Sequence, residues 1–380
     1  MSPGARDAYA AAGVDVAAGD RAVELMRAAV EATRRPEVVG GLGGFAGAVG
    51  LPAGVRDPLL VSATDGVGTK TAIAAGLGRY DTIGVDLVAM CVDDVVCSGA
   101  TPLFFLDYLA VGRLDPERVA TVVGGVAEGC RIAGCALVGG ETAEHPGLMP
   151  PDGLDLAGFC VGVVDRQQAL DGSSVRPGDA IVGLAASGFH ANGFSLVRRV
   201  LDDHGIGLDA DFGAVVTRAL GPAAATGLGP GSPSIGEVLL TPTRIYAADL
   251  LAARAALQAA GTDLHGLAHV TGGGLPGNVP RALPDGLAAR LDPGRWKVPT
   301  EMRLVAALAG MGDEEVRATF NAGIGMAAVV APEDAAALVG MLVERGIPSR
   351  VIGEVVSQRD AGGQRYAEGP LTGPAGSEAG

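Results

Sequence analysis

The sequence predicts an α/β (α+β) protein built as two domains, and three observations carry that reading. Its 380 residues exceed what one ordinary core encloses. Hydrophobic residues make up 48% of the chain but aromatics only 4%, the balance expected of aliphatic strands and Ala-rich helices. Short apolar runs alternate with segments of helical spacing in both halves, which is the pattern of mixed α/β layers.

Taken in order, the elements begin with a helix capped by Asp20 and running to Thr33, with Val23, Met26 and Val30 on one face. Arg34-Arg35-Pro36 ends it, and a glycine-rich loop follows. Leu59–Thr64 reads as a buried strand. Val85, Val88, Val92 and Val96 recur at helical spacing within a helix over Asp81–Ser98, and Leu103–Leu109 is a strand. Asp115-Pro116-Glu117 then supplies an N-cap, a proline at the first helical position and an acid in the first turn of a helix reaching Ala133. Strands follow at Ala136–Val138, ending in Gly139-Gly140, and at Leu156–Val164.

The polar segment Asp165–Asp179 marks the domain boundary, giving domains over 1–171 and 172–357. The second half starts with strand Ala180–Ala185, a loop and a helix from Asn192. Gly205–Gly236 reads as a loop-like insert. Helix Thr243–Ala259, strand Leu264–Val270 and a glycine-rich turn follow. Strand Met326–Val330, helix Pro332–Glu344 and strand Ser349–Val355 close the half. The tail, 358–380, is rich in Gly, Ala and polar residues and is expected to be disordered.

Composition excludes several classes. A net charge of −15 with scattered Lys and Arg argues against nucleic acid and anionic membranes as partners. It leaves phosphates possible where glycine amides, helix N-termini and a divalent cation do the local work. Five cysteines without a C-x-x-C pair read as reduced thiols of a cytoplasmic protein. No signal-like apolar segment opens the sequence and no apolar run reaches about 18 residues.

Among the glycine-rich strings, Asp65-Gly66-Val67-Gly68-Thr69-Lys70-Thr71 resembles a Walker A loop, but Thr69 stands where that loop needs Gly before Lys. Gly41–Ala46 and Gly272–Gly277 fit the loose dinucleotide fingerprint without a clean βαβ context, and Pro276 interrupts the second. The carboxylates say more. Asp65 follows a strand, Asp93 and Asp94 lie on an apolar helix, and Glu141 follows a strand and Gly-Gly, at the ends where α/β sheets collect ligands. Together they point to a Mg²⁺ site, against the plainer reading of caps and solvated charges. His145, His204, His265 and His269 have structural explanations. His190 differs, lying in the polar loop Ala186–Gly193 between a strand and a helix, where it suits acid–base work as well as loop architecture.

These segments, in this order, resemble the phosphoribosylformylglycinamidine cyclo-ligase family from Tyr9 to Val355. The specific pieces are Ala12-Gly13-Val14-Asp15, Thr33–Val38 with Gly40–Phe45, Thr64–Lys70, Asp86–Cys91, Phe104–Tyr108, Gly139–Glu144, Pro242–Tyr246 and Thr271–Gly274. The resemblance implies closure of a purine-precursor imidazole ring with Mg·ATP, formylglycinamidine ribonucleotide as substrate, and a homodimer joined through its N-terminal sheets. It implies Mg²⁺ at Asp65, Asp94 and Glu141, and nucleotide contacts at Gly66, Thr69, Lys70, Gly139, Gly140 and Asn192. His190 becomes the candidate catalytic residue. Ala186, Ala191 and Ala322 depart from the family, standing where it usually has two serines and a cysteine, so no role passes to those groups. Related readings fit less well: a selenophosphate synthetase needs a reactive Cys near its N-terminus, and no cysteine precedes Cys91. A thiamine-phosphate kinase would lack the Arg34–Phe45 signature. An inactive binding protein is the reading from another class, and intact Asp65, Asp94, Glu141 and His190 argue against it.

Overall fold

The computed structural model describes residues 13–41, 43–228 and 231–372. Tyr9, Ala12, Leu42 and residues 373–380, all part of the sequence reading, lie outside the described residues. The chain divides into two compact units: one takes the chain up to Val95 together with Thr101–Asp165, the other Val96–Ala100 and everything from Arg166.

In the first unit, helix α1 (Val16–Glu31) starts more than a turn earlier than the sequence suggests. Its N-cap is Asp15 rather than Asp20, accepting from the Ala18 N–H at 3.1 Å. The Asp15 N–H donates to Glu144 at 3.1 Å, so the cap is held by a residue 129 positions away that no local window contains. Strands β1 (Val38–Val39) and β2 (Ala48–Val49) pair antiparallel on either side of the glycine-rich loop. Then come β3 (Pro58–Gly66), α2 (Lys70–Leu77), α3 (Ile83–Cys97), β4 (Thr101–Val111), α4 (Pro116–Ala133), β5 (Ala136–Glu144) and β6 (Leu154–Asp165). Helix α4 follows the sequence reading closely: Asp115 accepts from the Arg118 N–H at 3.0 Å, Pro116 opens the helix and Gly134 closes it in the left-handed region. Leu87, Val88, Val92 and Val95 of α3 are fully buried.

The sheet of this unit has the order β3-β6-β4-β5, with β4 and β5 parallel and the other pairs antiparallel. Its register sets where the acids stand. Asp65, Gly158, Asp107 and Gly140 form one row across all four strands, and Gly66, Ala157, Tyr108 and Glu141 form the next. Because side chains alternate along a strand, adjacent rows address opposite faces. Asp65 and Asp107 therefore share one face, and Glu141 belongs to the other.

The second unit continues with β7 (Ala180–Ala185), α5 (Phe194–Asp203), α6 (Phe212–Leu220), α7 (Ile235–Leu239), α8 (Ala247–Ala259), β8 (Leu264–His269) and α9 (Gly274–Asn278). β9 (Leu287–Leu291), α10 (Thr300–Ala309), α11 (Asp313–Thr319), β10 (Ile324–Val330), α12 (Ala335–Glu344), β11 (Ser349–Ser357) and β12 (Tyr366–Glu368) complete it. Six strands assemble in the order β12-β9-β11-β7-β10-β8, with only β12 and β9 parallel. Ile181, Ala289, Ala327, Val329 and Ile352 centre its core. Buried Arg254 of α8 pairs with Asp263 at 2.7 Å and donates to the carbonyls of Gln168 (2.6 Å) and Gly99 (3.4 Å). That is why Val96–Ala100 belongs with this unit.

Two expectations need correction here. The segment 205–236 is not merely loop: Asp211 caps α6 by accepting from the Ala214 N–H, and Ser234 and Glu237 form a capping box at α7. Its glycines and prolines lie in and around these short helices and mask their spacing. The tail is ordered as far as residue 372. Arg317 holds Glu368 at 2.5 Å, Arg365 donates to the Pro280 carbonyl at 2.8 Å, and the Thr372 N–H donates to Glu354 at 2.7 Å. A polar composition cannot show that each of these groups has a distant partner.

Candidate functional site

In the first unit a cavity of about 740 Å³ opens beside β5, the edge strand of the sheet. Ala22, Met26 and Val30 of α1 wall one side, Phe45 of the glycine-rich loop another, and Gly139, Gly140 and Glu141 of β5 the floor. The sequence predicts a strand at Ala136–Val138 ending in Gly139-Gly140. In the structure β5 continues to Glu144, so both glycines and Glu141 are ladder residues. Gly140 has a steric reason: a Cβ there would stand 1.7 Å from Asp107 Oδ1. Asp107 also lines the cavity, and loss of water pushes its carboxyl up to about 7. Sequence reasoning passed over Asp107, whose one signal was a carboxylate inside the apolar run Phe104–Tyr108.

Asp65 and Asp94 both lie within electrostatic reach of the Cys91 thiol, and Glu141 does not. The backbone of Asp65 and both carboxylates act on the Cys91 thiol, whose pKa burial pushes up to about 12. Asp65 is exposed, Asp94 half-buried and Asp93 wholly buried, so Asp93 belongs to the core of α3. Glu141 lies in the row addressing the other face, and no group of three or more His, Cys, Asp or Glu among the described residues is arranged to hold a metal ion. Two carboxylates with water completing the shell nonetheless suit Mg²⁺, which keeps several waters.

Around Asp65, the Gly66 N–H donates to its Oδ1 at 2.7 Å, and Thr69 is exposed at the start of α2. Lys70 departs from expectation. It is fully buried, with its Nζ 2.9 Å from Asp86 and the pair withdrawn from water on both sides. Burial lowers the Lys70 pKa and Asp86 opposes that shift. The ammonium is therefore held as the partner of a buried carboxylate.

In the second unit the loop 186–193 is stitched to three other segments. The Ala186 N–H donates to the Gly323 carbonyl at 2.9 Å, and Asn321 Nδ2 to the Gly188 carbonyl at 2.9 Å. Ser187 Oγ donates to the Pro242 carbonyl at 2.7 Å, and Asn192 Oδ1 accepts from the Gly272 N–H at 3.2 Å. Asn278 holds that last glycine turn by donating to the carbonyls of Gly272 and Gly274. His190 lies behind its loop rather than on its surface. It is 1% exposed, and its Nε2 accepts from the Ser187 N–H at 3.2 Å, which places the proton of a neutral ring on Nδ1. Its φ of 61° is one of two positive values at non-glycine residues among those described, the other being at Ala322. Such strain persists where the surroundings enforce it. Here a Cβ on Gly325 would meet His190 Cε1 at 2.4 Å and the Tyr246 hydroxyl at 2.1 Å, so the ring is packed tightly behind the loop.

Comparison with known proteins places these features. Residues 50–164 match the family described as AIR synthase related protein, N-terminal domain, and residues 176–364 match its C-terminal domain. The chain is 51% identical to the phosphoribosylformylglycinamidine cyclo-ligase of Thermosynechococcus vestitus, covering 92% of this chain and 96% of that one. It is 50% identical to the enzyme of the same name from Gloeobacter violaceus, covering 94% and 99%. Among solved structures it resembles a thiamine-monophosphate kinase from Stenotrophomonas maltophilia, with a TM-score of 0.58 at 19% identity over 92% of this chain and 95% of that one. It also resembles the hydrogenase maturation protein HypE in complex with ATP, with a TM-score of 0.57 at 18% identity over 92% and 90%. At such identities these two share the fold.

Proposed function

The chain belongs to the phosphoribosylformylglycinamidine cyclo-ligase family, and from that membership we propose how its own residues serve the reaction. The enzyme is an ATP-dependent ligase of purine biosynthesis, forming the carbon–nitrogen bond that closes the imidazole of aminoimidazole ribonucleotide. The carrying observation is identity near one half across almost the whole chain.

The chemistry follows from the leaving group. Attack of the amidine nitrogen on the formyl carbon must expel the formyl oxygen, which leaves poorly. Transfer of the γ-phosphoryl group of ATP to that oxygen releases ADP and makes an iminophosphate. The nitrogen lone pair then attacks carbon, the C–O bond breaks with its electrons leaving on phosphate, and the new ring loses a proton.

In this reading the nucleotide occupies the cavity of the first unit. Its apolar wall from Ala22 to Val30 receives the base, and Gly139, Gly140 and the glycine-rich loop allow close approach to the phosphates. Because Asp107 and Glu141 also line the cavity, an anionic triphosphate needs a counter-charge there. Asp65 on β3 and Asp94 on α3 lie outside that cavity's lining; they would hold Mg²⁺, and the ion would offset the charge developing on the transferred group. Asn192 fixes the Gly272 turn, and His190 positions the loop 186–193 from behind rather than carrying the proton. No described helix is long and apolar enough to cross a membrane, and the cytoplasm is the compartment we assign. The assay of purified protein with ATP, Mg²⁺ and formylglycinamidine ribonucleotide tests the activity directly.

A homodimer accompanies this reading. Leu60, Phe159 and Tyr108 are 66%, 38% and 42% exposed, and register places them on the face shared with Glu141. Apolar side chains on one open sheet face suit a second copy of that sheet. Sedimentation should give twice the chain mass, and Leu60→Asp with Phe159→Asp should give a monomer. A wild-type monomer would refute the pairing.

A further inference from the structure

Glu301 has no place in the machinery described so far, and its surroundings are unusual for a carboxylate. It lies in the first turn of α10, a helix whose N-cap, Pro299, provides no side-chain cap. A solvated acid in a first turn is explained by the helix dipole. Glu301, however, is half-buried, and burial raises its pKa. Its own backbone N–H is the one group among the described residues that favours its charge; no Lys, Arg or His offsets the loss of water. Its Oε1 lies 3.7 Å from where a Cβ on Gly188 would stand, and Thr241 borders the same glycine at 3.9 Å. Gly188 is the residue whose carbonyl is held by buried Asn321, in the loop that carries His190 and Asn192. The carboxylate therefore sits against a loop fixed by hydrogen bonds on both flanks, partly withdrawn from water and lacking a cation.

We propose that Glu301 is the substrate-recognition carboxylate of the second unit, pairing with the amidinium group of the formylglycinamidine substrate. An amidine is protonated in neutral water and presents two N–H donors in one plane, which a carboxylate receives as a bidentate pair. The cation supplies what the protein leaves out, so binding removes the cost of holding a half-buried anion without a partner. The same pairing orients the amidine so that its ring-forming nitrogen is set relative to the formyl group, and one amidinium proton passes to the carboxylate before that nitrogen attacks. The loop 186–193 contributes the fixed wall against which the carboxylate is held. This inference rests on the cyclo-ligase reading and deepens it.

The test compares wild type with Glu301→Gln, which keeps the shape but removes the charge and turns one of the two acceptor oxygens into a donor. KM for the formylglycinamidine substrate should rise about tenfold or more, as expected for losing a charge-assisted pair, while KM for ATP stays the same. Acetamidinium chloride should compete with the ribonucleotide substrate in wild type, not with ATP, and neutral acetamide should not compete. That inhibition should disappear in Glu301→Gln. A substrate KM within about twofold of wild type in a folded variant, with inhibition by acetamidinium retained, overturns the proposal. If Glu301→Gln does not fold, the wild-type competition decides alone: absence of competition by acetamidinium overturns the inference. Wild-type protein that makes no imidazole product fails the cyclo-ligase reading itself, a result distinct from unchanged kinetics in an active enzyme.

Discussion

Lys70→Met is expected to lower stability by about 3–5 kcal/mol, the cost of removing one partner from a buried ion pair. The loss comes from Asp86, whose fully buried carboxylate would lose the ammonium now 2.9 Å away. Replacing both, Lys70→Met with Asp86→Leu, should return stability to within about 1–2 kcal/mol of wild type, because apolar side chains of similar volume often replace a buried pair at little cost. Denaturant midpoints of the three variants read this directly. If Lys70→Met unfolds at the wild-type midpoint, the pair is not a structural element. If it is stable but has lost ATP affinity, the ammonium serves the nucleotide after all.

Asp65→Asn and Asp94→Asn should each cut turnover by about 10²–10³-fold at fixed Mg²⁺, since metal stabilisation of transferring charge is worth several kcal/mol. Higher Mg²⁺ should recover part of the loss, while denaturant midpoints stay near wild type because Asp65 is exposed and Asp94 only half-buried. Glu141→Gln should leave the Mg²⁺ requirement less affected, since its row addresses the opposite face of the sheet. Unchanged Mg²⁺ dependence in both aspartate variants would remove these residues from the metal site.

The contrast between these two predictions shows which parts of the molecule are legible in sequence. Helix α4 was read nearly to the residue because its signals are local: Asp115 caps three residues ahead, Pro116 fills the first position and Gly134 ends the helix. The acids Asp65 and Asp94 were found because each stands out against an apolar background. The string Asp65–Thr71 looks like a phosphate loop, and no local pattern shows that the Lys70 ammonium is paired with Asp86, sixteen residues on. The polar loop around His190 gives no sign that its ring is buried against Gly325 and Tyr246, which other elements bring in. The start of α1 was set too late because its true cap is held by Glu144 from β5. The tail's polar composition predicts disorder because its partners, Arg317 for Glu368 and the Pro280 carbonyl for Arg365, lie elsewhere in the chain. Asp107 and Glu301 were missed for the same reason: burial beside a glycine of another segment gives each its character, and neither spacing nor composition records it.

The most direct measurement of the central claim is product analysis of the purified protein with Mg·ATP and formylglycinamidine ribonucleotide. Aminoimidazole ribonucleotide, ADP and phosphate should appear in equal amounts, with no product when ATP is omitted. ATP hydrolysis that proceeds without imidazole formation, or conversion of thiamine phosphate while this substrate is ignored, would contradict the account.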